Sequence, residues 1–178
     1  VPVAYLSGIE SVREAVEDQL LGKYLNQIVF DEIIPTLDME RDELKEFAAT
    51  VMERFKNPYI HHRWLDISLN SISKYKTRVL PSLLDYLHQN QTPELLTFAL
   101  AALIRFYKGK ELTEKGMIGL RDGEEYLIRD NREVLECFFK IWQNNEGISV
   151  LVEQVLAKDE LWGEDLNKYD GLTEKITT

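Results

Sequence analysis

The chain has 178 residues, a formal net charge of −10 and a pI near 4.9. Such an acidic surface repels phosphate backbones, which excludes nucleic acid and anionic membrane as general partners. With 44% hydrophobic and 29% charged residues, the sequence can bury a core of its own as one domain without disulfides or metal staples.

The chain opens on Val1-Pro2-Val3-Ala4-Tyr5-Leu6, an apolar run with no polar lead-in that reads as an element already under way. Arg13, Glu14 and Glu17 interrupt the segment that follows, so it does not read as a secretory leader. Val12, Ala15 and Val16, with Gln19 or Leu20, fit one short amphipathic helix. Leu21, Tyr24, Leu25, Ile28, Val29 and Ile33 fit a second, halted near Pro35. Asp42 and Glu43 open a third, with Leu44, Phe47, Ala48, Val51 and Phe55 as its apolar face. Asn57-Pro58 ends it, because the residue before proline is pushed out of the α region.

A long helical segment is predicted from about Arg63 to Gln89, broken or bent at Pro81. Leu65, Leu69, Ile72 and Val79 recur at helical spacing and predict its core stripe. Arg63, Asn70, Lys74 and Arg78 lie on the other side. From His61 to Arg78 the ionic residues are Arg63, Asp66, Lys74, Lys76 and Arg78, a local balance of +3 that leaves −13 for the rest of the chain. Lys74 and Arg78, four apart, share one face. Two cations so placed repel slightly, whereas an anion between them would favour both. A solvated basic face and an anion-binding face both fit this spacing.

Thr92-Pro93-Glu94 carries three helix-start signals: a capping hydroxyl, a proline in the first turn, and an acid at the positive end of the dipole. The helix it opens stops near Gly109. Its run Phe98 to Ile104 is the longest apolar stretch, about a third of the roughly 20 residues a membrane helix needs. Between Lys110 and Asp130 the pattern changes. Gly116, Gly119 and Gly123 flank short runs, and Asp122-Gly123 predicts a small β-hairpin near 117–128. Asn131 caps a helix through Trp142, and Gly147 to Lys158 gives another. Cys137, the one cysteine, excludes an internal disulfide and lies in an apolar run as a small buried hydrophobe. A reducing, cytoplasmic setting is the expectation. The predicted fold class is all-α, a multi-helix domain with that single hairpin.

Other candidate chemistry has plainer explanations. Gly116-x-x-Gly119 has neither a preceding strand nor Gly-Lys-Ser/Thr, so a hairpin explains it better than a phosphate loop. His61 and His62 are adjacent and point to different helix faces, with no third ligand spaced to join them. No metal site is expected. Glu124-Glu125, Asp159-Glu160 and Glu164-Asp165 read as solvated charge.

Three blocks of sequence resemble the C-terminal domain of the long-chain mannitol dehydrogenase family, most closely its tagaturonate reductase (altronate oxidoreductase) branch. The first is Pro2-Val3-Ala4-Tyr5-Leu6-Ser7-Gly8 with Val12-Arg13-Glu14-Ala15. The second is Arg54-Phe55-x-Asn57-Pro58-x-Ile60, followed by Lys74 and Pro81. The third is Met117-Ile118-Gly119-Leu120-Arg121-Asp122-Gly123. The resemblance implies a helical domain like the C-terminal part of 6-phosphogluconate dehydrogenase, here spanning 1–178. It further implies a partner N-terminal Rossmann domain that binds NAD, absent from this chain, and a sugar-acid or polyol substrate, with no metal.

The catalytic Lys, Asn and His of that family are expected upstream of Val1, leaving no catalytic residue in this chain. The fragment alone is expected to be inactive, with an exposed apolar patch at Val1 to Leu6 where the other domain would pack. Lys74 matches a substrate-contacting lysine of the polyol-oxidising relatives, which carry an arginine eight residues earlier; here that position is Asp66. The implied substrate-binding residues are Lys74, Arg78 and Asn70. The implied reaction interconverts tagaturonate and altronate. The alternatives are a fructuronate/mannonate or mannitol-type dehydrogenase domain, or a non-catalytic helical interaction module.

Overall fold

Ser11 and Glu14 start the second helix reciprocally. The Ser11 hydroxyl accepts from the Glu14 N–H at 3.3 Å, and the Glu14 carboxylate accepts from the Ser11 N–H at 2.9 Å. In this computed structural model, which describes residues 1–59, 61–144 and 147–178, helix α1 covers Pro2–Leu6 and α2 covers Val12–Glu17. Ile60, part of the second block of resemblance, lies outside the described residues. The predicted helix through Leu20 instead divides at Asp18. That residue is extended, and its carboxylate accepts from the Leu20 and Leu21 N–H groups at 2.9 and 2.7 Å, opening α3 (Gln19–Gln27). A π-helical segment, Ile28–Ile33, and a 3₁₀ turn, Ile34–Thr36, carry the chain to α4 (Arg41–Phe55).

The segment predicted as one bent helix is three: α5 (Trp64–Ile67), α6 (Ser71–Arg78) and α7 (Leu80–His88). Pro81 sits in the first turn of α7 and separates it from α6, as its missing N–H and fixed φ require. The break between α5 and α6 has another cause. Asn70 adopts the left-handed conformation at φ 57° and ψ 46°, which ends one helix and starts the next. Leu69 is therefore largely exposed and leaves the predicted core stripe, while Ile72 is buried and Ser71 turns inward.

Helix α8 (Glu94–Phe106) is the axis of the core: Leu96, Leu100, Leu103, Phe106 and the following Tyr107 are buried. Its start is capped, but not by Thr92. Glu32, on the π segment, accepts from the Leu95 and Leu96 N–H groups at 3.0 and 2.7 Å.

The sheet has three antiparallel strands in the order β1 (Gly109–Thr113), β2 (Gly116–Arg121), β3 (Glu124–Ile128). The Asp122-Gly123 turn carries positive φ at both residues, as a tight hairpin needs. The hairpin is where it was predicted, and β1 is an addition to it. Gly119 pairs with Tyr126, whose ring occupies the space a Cβ at 119 would need, 2.5 Å away.

Helices α9 (Arg132–Gln143), α10 (Ile148–Leu156), α11 (Asp159–Trp162) and α12 (Leu172–Thr177) complete the chain. Asn131 caps α9 through the Glu133 N–H at 3.0 Å. Cys137 is half-buried, because it borders a polar groove between α9 and α10, and burial raises its thiol pKa. The predicted exposed patch at Val1 to Leu6 is not present. Ala4 and Tyr5 are buried and their neighbours half-buried, with α1 packed on α8. Tyr5 joins Phe106 and Tyr126 in one aromatic cluster, its ring centroid 5.1 Å from that of Tyr126. No helix of the described residues is long and apolar enough to cross a membrane.

Candidate functional site

The bend between α5 and α6 is the part of the fold where the basic island acquires shape. Across it, the Lys74 ammonium donates to the Ile67 carbonyl at 2.8 Å. Lys74 is half-buried and has no carboxylate partner among the described residues. One of its three donors is spent on Ile67, so its charge and remaining donors are available to an oxygen-rich ligand.

The exit of the sheet holds this bend in place. The Asn70 N–H donates to the Arg129 carbonyl at 3.0 Å, and the Arg129 guanidinium donates to the Leu65 carbonyl at 3.1 Å. The Asp130 carboxylate accepts from the Ile72 N–H at 3.3 Å in the first turn of α6, from the Asn131 N–H at 2.8 Å, and from the Tyr107 hydroxyl. Tyr107 is buried, and burial first, then the Asp130 charge, pushes its pKa far up. The hydroxyl therefore stays a donor.

Of the predicted site residues, Lys74 stands inside this frame. Asn70 forms the bend through its backbone, with its side chain exposed and making no cap. Arg78 ends α6 one turn beyond Lys74, exposed and without an ion pair among the described residues. Lys76 lies alongside Gly163, on a different side of the helix. Asp66 is exposed in the first turn of α5. Arg129, Asp130 and Tyr107 were not singled out by sequence reasoning. They are distant in sequence from α6, and Asp130-Asn131 reads locally only as a helix cap.

The remaining candidates resolve into structure. Side chains at Gly116 or Gly119 would collide with the Ile128 carbonyl or the Tyr126 ring, so close strand packing accounts for these glycines. Arg121 secures α1: it donates to the Tyr5 carbonyl at 2.8 Å, pairs with Glu10, and stacks 4.1 Å over the Tyr5 ring. Glu125 and Glu164 pair with Lys110 and Lys168. His61 and His62 are exposed. Among the described residues, no group of three His, Cys, Asp or Glu side chains could hold a metal ion.

Two solved dehydrogenases share this fold. The mannitol 2-dehydrogenase of Pseudomonas fluorescens, solved as a ternary complex with NAD and D-mannitol, superposes with a TM-score of 0.79 at 19% identity, over 99% of this chain and 33% of that one. A substrate-free D-sorbitol dehydrogenase superposes at 0.69 with 20% identity, over 98% of this chain and 33% of that one. At these identities the likeness is one of fold.

The chain belongs to the mannitol dehydrogenase C-terminal domain family, which it matches over residues 1–178. It is 42% identical over 179 residues to the altronate oxidoreductase of Halalkalibacterium halodurans, across 98% of this chain and 35% of that protein. It is likewise 42% identical over 182 residues to the altronate oxidoreductase of Klebsiella pneumoniae, across 99% of this chain and 36% of that protein. The chain thus spans about a third of the length of the relatives it matches.

Proposed function

We propose that this chain is the substrate-binding part of an NAD-dependent oxidoreductase that interconverts tagaturonate and altronate. The observation that carries the reading is 42% identity to altronate oxidoreductases across almost the entire chain. Lys74, half-buried beside a braced helix bend and without a carboxylate partner among the described residues, adds physical support, because it suits the oxygens and the carboxylate of a sugar acid. Arg78, on the same face, supplies a second charge toward that carboxylate, and Asn70 shapes the approach.

The described residues do not form a cradle for a dinucleotide. Among the described residues no parallel strand leads through a glycine turn into a helix, and Gly116 and Gly119 are occupied by strand packing. NAD supplies hydride transfer when bound, and we assign its binding to an N-terminal Rossmann domain outside this chain. The proton-transferring Lys, Asn and His of the family motif belong with that part of the protein. What this chain contributes is selection and orientation of the sugar acid, with Lys74 fixing an oxygen at the bend.

The test is a substrate panel on the full-length protein. NADH-dependent reduction of tagaturonate should exceed that of fructuronate and of uncharged ketoses in catalytic efficiency. A preference for fructuronate would move the protein to the mannonate-forming activity, and a preference for fructose to the mannitol type. No turnover on any of them would leave the chain as a helical interaction module.

A further inference from the structure

Helix α5, a single turn, anchors two cations from distant parts of the chain. The Arg129 guanidinium donates to its Leu65 carbonyl at 3.1 Å, and the Lys74 ammonium donates to its Ile67 carbonyl at 2.8 Å. Arg129, like Lys74, is half-buried. Neither has a carboxylate partner among the described residues.

The chain has a net charge of −10, and its acids pair with such cations elsewhere. Arg121, the half-buried arginine of β2, pairs with Glu10. The acids nearest to Arg129 and Lys74 do not serve in this way. Asp130 is engaged by the Tyr107 hydroxyl and by the Ile72 and Asn131 N–H groups, and Asp66 is exposed and forms no ion pair among the described residues. Capping the carbonyls of α5 accounts for one donor from each cation. It does not account for two like charges, both partly desolvated, on one helical turn; they repel each other unless an anion joins them. The guanidinium also has donors to spare in a planar fork, the geometry that grips a carboxylate through two parallel hydrogen bonds.

We infer that Arg129 is a specificity-determining residue of this site: with Lys74 it forms the subsite for the substrate's carboxylate and makes the site choose a sugar acid over an uncharged ketose. Lys74 supplies a point charge to the ligand's oxygens and Arg129 supplies the fork. Arg78, exposed at the end of α6, adds a charge that solvent and salt screen more strongly. Arg129 lies far outside the basic island from His61 to Arg78, so the fold alone brings it to Lys74. The inference rests on the reading of the substrate as a sugar acid and names the residue that would select it.

The experiment measures kcat and KM of the full-length protein on tagaturonate, fructuronate and fructose, for wild type, Arg129→Gln and Arg129→Lys, with the thermal midpoint of each. Arg132→Gln is the control, since Arg132 already pairs with Glu136. On the better sugar acid, Arg129→Gln should lose about 10- to 150-fold in kcat/KM, chiefly through KM, because a grip made equally in the ground and transition states acts there. On fructose it should stay within about threefold of wild type. Arg129→Lys keeps the charge and a donor but loses the fork, so its loss on the acid should fall in between; it carries the test if Arg129→Gln does not fold. Equal losses on acid and ketose, or no loss on the acid, would overturn the inference and leave Arg129 as a brace of α5. Where fructose turns over too slowly to compare, a loss confined to kcat would overturn it too. The wild-type panel is scored separately. A wild type that prefers fructose would sink the sugar-acid reading and the subsite with it, whereas a wild type that prefers a sugar acid, with variants unchanged in that preference, would sink the subsite alone.

Discussion

Asp130 collects three donors from three places: the Tyr107 hydroxyl after α8, the Ile72 N–H at the start of α6, and the Asn131 N–H beside it. Removing its carboxylate strands the buried Tyr107 hydroxyl and uncaps α6 together. Asp130→Ala should therefore destabilise the domain by about 1–3 kcal/mol, the usual cost of an unsatisfied buried polar group. Urea unfolding followed by dichroism checks this, and a midpoint equal to wild type would remove Asp130 from the frame. Residues of this kind were not legible in the sequence. Tyr107 and Asp130 are 23 residues apart, and Glu32 caps a helix start 63 residues away, with no local signal for either. The cap within a turn at Asn131, over the Glu133 N–H, follows from short-range chemistry and was read directly, whereas the Ser11–Glu14 box was missed and the Thr92 cap did not form. Lys74 became a candidate through the family resemblance, whereas its contact with Ile67 depends on the unforeseen bend at Asn70.

The buried and half-buried tyrosines link the elements to pH. Burial pushes the Tyr126 hydroxyl up to about 12 and those of Tyr24, Tyr75 and Tyr107 further. A group whose value is higher in the fold than in the unfolded chain contributes stability below the unfolded value, and that contribution is lost as pH climbs through the folded one. Stability should therefore hold below about pH 10 and fall progressively toward pH 12 and above. Tyrosinate absorbance during alkaline titration should show these hydroxyls ionising only as the fold is lost; full titration of every tyrosine near pH 10 with the dichroism unchanged would contradict this.

The sheet gives a second test among the elements. A methyl at Gly119 meets the Tyr126 ring, which is itself buried against Phe106 and Tyr5. Gly119→Ala should cost about 1–3 kcal/mol, as overpacking does. A thermal midpoint within a degree or so of wild type would show that the cluster yields. The Asp122-Gly123 turn announced β2 and β3. Strand β1 was hidden because Lys110-Glu111-Leu112-Thr113 is mostly polar, and its pairing with β2 shifts register between Gly109 and Glu111.

In the molecule as a whole, the helical fold follows from apolar periodicity, and the exceptions concern which apolar faces the fold covers. The Phe47, Val51 and Phe55 row was expected in the core and lies outside it. The Val1 to Leu6 run was expected outside and is largely packed. Periodicity shows that a face is apolar but leaves open what covers it. The substrate end of the proposed function depends most on Lys74, a half-buried ammonium with no carboxylate partner among the described residues. A charge-assisted contact of this type contributes roughly 1.5–3 kcal/mol, equivalent to about 10- to 150-fold in catalytic efficiency. The most direct measurement is kcat/KM of the full-length enzyme, wild type against Lys74→Ala, Arg78→Ala and Lys76→Ala, on tagaturonate and on an uncharged ketose. Lys74→Ala should lose about 10- to 150-fold on tagaturonate, Arg78→Ala should lose more on the acid than on the ketose, and Lys76→Ala should stay near wild type. A Lys74→Ala enzyme with undiminished efficiency on tagaturonate would contradict the assignment of this face as the substrate site.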